Sequence, residues 1–228
     1  MRRLFAMSAI VALVLTAGAG AVQADTSGGC SGTAQCRFAG RGVDASWSGV
    51  PADGPVLGQL YTDTYVAASS SMTTSRGTRT AAGGLWFQQF SYVYDGSDKP
   101  NAVRESFVTD FGPDLVVRID GKLNSATVSG TVMVVSCTYD QDFNETCGDP
   151  VATVVGGTWT ATGPALSVVS TYRAKGPGFT MNEMFQGSQR DATAAVVIGG
   201  SPVSGVVGWA SISDSSGTSI TICHAPAC

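Results

Sequence analysis

Histidine is nearly absent: His224 is the single imidazole in 228 residues. Nucleophile–base chemistry of the Ser–His or Cys–His kind therefore has one candidate. It sits beside Cys223 near the C-terminus, where a surface side chain in a disulfide-tied tail is the simpler reading. Metal-binding His pairs are excluded by the same count. Lysine occurs three times, and charged residues make up only 13% of the chain. With no basic cluster to meet phosphates, the composition argues against nucleic acid and anionic membrane surfaces as partners. There is no nucleophile elbow and no phosphate-binding loop. The Gly-Gly pairs at 83–84, 156–157 and 199–200 are turn or bulge glycines, because no helix follows them. A helical period is missing too. Only Thr180–Gln189, with Met181, Met184 and Phe185, is arguable as a helix, and its place between two turn signals favours a strand.

Long apolar runs are confined to the start. Arg2 and Arg3 precede the run Leu4–Leu15, broken only by Ser8, and Val22-Gln23-Ala24 supplies the small residues a signal peptidase reads. Cleavage is expected after Ala24, giving a secreted, extracellular chain. Arg2-Arg3-Leu4-Phe5 also resembles a twin-arginine signal, but an ordinary secretory leader accounts for it. The run is too short to cross a bilayer, which takes about 20 apolar residues, and no later segment is longer, so no transmembrane helix is expected. Removing Arg2 and Arg3 leaves 11 basic against 17 acidic residues, a net charge of −6.

What is abundant is the vocabulary of β structure. Between Val151 and Ile222 lie Val151–Thr162, Leu166–Arg173, Phe179–Gln186, Ala192–Ile198, Val203–Ile212 and Thr218–Ile222, all rich in Val, Ile, Thr and aromatics. Gly163-Pro164, 175–178, Gly187-Ser188, 199–202 and 214–217 punctuate them roughly every 12 residues, the spacing of an antiparallel meander. Upstream, Leu85–Asp95 alternates cleanly, Val103–Phe111 returns antiparallel, and Leu123–Tyr139 carries an inner run with a bend or bulge at Gly130. The fold expected is all-β: one antiparallel β-sandwich or partly closed β-barrel of about 11 to 13 strands over residues 25–228.

Six cysteines after an export signal imply disulfides. Cys137 and Cys147 bracket a short acidic loop whose base needs a clamp, so they are expected to be joined. The pairing of Cys30, Cys36, Cys223 and Cys228 stays open.

Three groups of residues carry candidate chemistry. Trp86, Gln88, Phe90, Tyr92 and Tyr94 share one face of a strand. The row reads first as core and second as a stacking platform for a flat ligand. Asp140, Asp142 and Asn144 place oxygens at alternate positions, as calcium loops do, but Glu145 stands where such a loop needs Gly and Val151 where it needs Glu. A solvated hairpin tip is the simpler reading. Glu105, Asp120 and Glu183 are the acids available for a hydrolytic pair. Ser69–Thr80, mostly Ser and Thr, lacks the apolar alternation of a membrane-inserting hairpin. The sequence thus points to a secreted, non-catalytic β domain that binds a small molecule, glycan or protein and needs no cofactor. A structural or envelope-associated protein is the alternative, and a carboxylate-pair hydrolase the third reading.

Overall fold

The structure, a computed structural model, describes residues 34–75, 78–97, 102–111, 114–140, 142, 144–176 and 179–223. The expected leader, Cys30, His224 and Cys228 lie outside these. The described residues form twelve strands and no helix: β1 (Ala34–Ser48), β2 (Leu60–Ser75), β3 (Thr78–Val93), β4 (Ala102–Phe111), β5 (Val116–Ile119), β6 (Ser125–Tyr139), β7 (Glu145–Cys147), β8 (Val151–Ala161), β9 (Leu166–Gly176), β10 (Phe179–Ile198), β11 (Ser201–Pro202) and β12 (Val206–Cys223). All belong to one hydrogen-bonded antiparallel sheet.

The order β10-β12-β1-β2-β3-β4-β6 continues into β8, which pairs with β6 on one side and β10 on the other. The sheet so returns to its first strand, but only partly as a ring. Residues 179–191 of β10 hold β12, whereas residues 192–198 hold β8. One half of the long strands is therefore rolled. The other half lies open as β9-β10-β12-β1-β2-β3, and among the described residues β9 pairs with β10 on one side only.

Rolling follows from alternation. Val43 and Ala45 of β1 face Ala68 and Val66 of β2, which face Leu85 and Phe87 of β3, and none of the six is more than 3% exposed. Val128 and Val132 of β6, Val155 and Trp159 of β8, and Val196 of β10 meet them from the opposite wall. Each large apolar side chain so buried contributes about 1.5 to 3 kcal/mol. Trp159 spans the core and donates its Nε1–H to the carbonyl oxygen of Asp44 at 2.9 Å. One end of the roll is closed by the β5–β6 turn, where Leu123 is buried. Two arginines hold that turn through carbonyl oxygens, Arg41 through Ile119 (3.2 Å) and Arg190 through Lys122 (3.2 Å). The bend expected at Gly130 falls where β6 changes partner from β5 to β4; a Cβ there would lie 2.6 Å from Leu115 Cα.

Two expected turns are not turns. β10 runs straight through Gly187-Ser188, and β12 runs straight through residues 214–217. The glycines serve close packing instead. Phe38 and Phe185 both lie opposite Gly217 with their rings 6.5 Å apart, and a Cβ on Gly217 would collide with the Phe38 ring and with the Met184 carbonyl. Glycine inside a strand marks such an approach as readily as it marks a turn. The acidic loop, for its part, contains the short strand β7, which sets Cys147 opposite Cys137, and the two are disulfide-bonded. Cys36 is also disulfide-bonded.

Candidate functional site

Strand β3 carries the aromatic row on the face opposite Leu85 and Phe87, which is the outer wall of the roll. In register with it, Trp86, Gln88, Phe90 and Tyr92 face Ala67, Tyr65, Asp63 and Tyr61 of β2. On the other flank Phe107 and Glu105 of β4 face Gln88 and Phe90. From this strand Leu85 and Phe87 fill the interior of the roll, while Tyr92 of the row is buried on the outer face.

Exposure falls along the row. Trp86 is 54% exposed, Gln88 and Phe90 are half-buried, and Tyr92 is buried at 8%. Tyr92 packs against Phe90 (ring centroids 5.7 Å) and Tyr61 (6.1 Å), while the Tyr61 hydroxyl accepts the Val56 amide at 2.7 Å. Burial, with the Asp63 carboxylate beside it, pushes the Tyr92 phenol up to about 12. Tyr94 lies just past the strand, half-buried, and its backbone holds Gly58 and Gln59. The row is thus divided: the Tyr92 end is packed and the Trp86 end is open.

Polar groups flank the open end. Gln88 donates to Glu105 Oε1 at 2.6 Å, and the Tyr139 hydroxyl lies 3.0 Å from Glu105 Oε2 and 2.9 Å from Glu145 Oε1. Those carboxylates, Glu145 first, hold the Tyr139 proton well above the ordinary phenol range. Across β2 and β1, Tyr65 packs at a tilt against Trp209 with centroids 5.7 Å apart. Asp44, on the same face, accepts from Ser211 Oγ at 2.6 Å. Its burial outweighs that bond and raises its carboxyl to about 6. Neither Asp44 nor Tyr139 stands out in the sequence; only the register across three strands brings them to this wall.

The acidic loop is occupied with itself. Asp140 accepts from the Asp142 and Asn144 amides at 2.8 and 2.9 Å and from Asn144 Nδ2 at 2.9 Å. Those bonds, the Asn144 side chain first, lower its carboxyl below the usual value. Among the described residues, the one group of three potential acidic, thiol or imidazole ligands close enough to share an ion is Cys137, Glu145 and Cys147. Its two sulfurs form the disulfide. The acids named for hydrolysis are held separately: Glu105 by Gln88, Asp120 by the Lys122 and Asn124 amides, and Glu183 by Ser219.

No family model and no curated protein matches this chain.

Proposed function

We propose that this chain is a secreted, non-catalytic domain that binds a glycan on the outer wall of β2, β3 and β4. The observation carrying the reading is Trp86, a large aromatic 54% exposed on a flat strand face beside a hydrogen-bonded amide and carboxylate. An indole face stacks on the C–H face of a sugar ring, and Gln88, Glu105 and Tyr139 supply donors and acceptors for its hydroxyls. Export, with the mature chain starting at Asp25, is part of the proposal, and N-terminal sequencing of secreted protein checks it.

Titration calorimetry against neutral plant, fungal and bacterial oligosaccharides tests the binding. Trp86→Ala is expected to abolish binding while shifting the thermal midpoint by no more than a degree or two, because little buried surface is lost. A midpoint drop of many degrees, or a wild-type protein that binds none of the sugars, ends the reading. The side of β9 that pairs with none of the described residues favours a second reading, a structural or envelope-associated protein whose sheet meets other chains.

A further inference from the structure

The inner face of the roll does not stay apolar to its end. Along β2 the inward residues run Ala68, Val66, Thr64, Thr62, and along β3 they run Leu85, Phe87, Gln89, Ser91. The change occurs at the same rung on both strands, since Val66 faces Phe87 while Thr64 faces Gln89 and Thr62 faces Ser91. β4 follows suit: Ser106 faces Gln89, and Arg104 faces Ser91. A polar layer thus caps the apolar core across three neighbouring strands, and it lines a concavity of about 480 Å³ at the end opposite the β5–β6 turn. The segment 202–205 forms its rim.

This layer is not simply a solvated edge. Thr64 and Ser106 are two of the three buried polar residues among those described. The layer is cross-linked internally: Gln89 Nε2 donates to Thr64 Oγ1 (3.3 Å), and Thr62 Oγ1 lies 2.9 Å from Ser91 Oγ. Burying hydroxyls in a core costs free energy that an apolar residue would not incur, unless they are bonded to one another or to something held between them. Arg104, exposed at the mouth of the concavity, is the exception to the cross-linking. Its guanidinium forms no hydrogen bond or ion pair with the described residues, and none of the described residues lining the concavity is acidic. The adjacent acids are engaged on the other face, Glu105 with Gln88 and Asp63 with Ser48 and the Gly49 amide.

We infer that this concavity is a binding site for a small polyhydroxylated anion, such as a sugar acid, distinct from the outer wall. Arg104 takes the anionic group in the paired hydrogen-bond geometry a guanidinium offers to an oxyanion. The hydroxyls of Thr62 and Ser91 and the amide of Gln89 take the ligand's hydroxyl groups. The volume lies within the ordinary range of small-molecule sites. So polar a lining selects against fatty ligands.

Calorimetry on the mature chain with glucuronate, galacturonate, glucose and inorganic phosphate tests this directly. The expected result is that one uronate binds at least about tenfold more tightly than glucose or phosphate. Arg104→Gln is expected to remove that preference, and Thr62→Val to weaken the uronate while a thermal melt shows each variant folded. Three results overturn the proposal: neither uronate binds, Arg104→Gln leaves uronate affinity unchanged, or phosphate binds as tightly as the uronate. Failure here leaves the outer-wall reading standing, since Trp86 lies on the opposite face of β3.

Discussion

At the scale of single residues, parity is easy to read and burial is not. Alternation separates Trp86, Gln88, Phe90 and Tyr92 from Phe87 and Gln89, and the structure keeps that separation. What alternation leaves undecided is which face meets the core, because both are rich in apolar groups. Leu85 and Phe87 fill the roll, so Trp86 is left outside. Asp44 was equally hidden: an acid in a strand reads as a solvent-facing residue until Tyr65, Trp209 and Ser211 are seen around it. Its carboxyl, ordinarily at 3.8, is raised to about 6. The folded protein therefore holds this proton more tightly than the unfolded chain does. Stability from this group is greatest below about 4 and falls as pH rises through about 6. Asp44→Asn keeps an acceptor for Ser211 and removes the charge. It is expected to stabilise the protein at pH 8 by on the order of 2 kcal/mol, and by little at pH 4. Denaturant melts at the two pH values check this; equal effects at both would show that Asp44 is not the titrating group.

At the scale of elements, strand identity was legible and strand length was not. The reading of Phe179–Gln186 and Ala192–Ile198 as two strands, and likewise Val203–Ile212 and Thr218–Ile222, divided single strands of 20 and 18 residues. Gly and Ser clusters signal a turn only when nothing large crosses them. Phe38, more than 140 residues earlier in the chain than Phe185, makes residue 217 glycine for reasons no local window contains. Gly217→Val is expected to destabilise by about 1 to 3 kcal/mol through overpacking against Phe38. Were 217 in a turn facing solvent, Val would cost far less. The chemical-denaturation midpoint distinguishes the two. The Cys137–Cys147 clamp, by contrast, follows from local geometry alone, and it was legible. Closing a loop of separation 10 is worth about 3 kcal/mol in the chain-entropy model.

At the scale of the whole molecule, the sheet is satisfied at one side and unfinished at the other. Where β8 bridges β6 and β10, backbone groups find partners on both flanks. Among the described residues β9 has none on its outer side, and Leu166, Val168, Val169 and Tyr172 are 57 to 72% exposed. Proteins usually blunt such a border with proline, inward charge or a bulge; Leu166–Tyr172 has no proline and no charge, and Arg173 and Lys175 come only after it. If two copies meet antiparallel about Val169, Leu166 of each lies beside Tyr172 of the other and no like charges are opposed. Such a contact is two-fold and occupies this border on both partners, so it closes at a pair of chains, and the share of pairs depends on how much protein is present. Sedimentation velocity over a dilution series is expected to show a shift from one chain to two as concentration rises. Val169→Lys is expected to return the chain to a single species. A wild-type protein that sediments as one species at every concentration would mean that water alone completes this edge.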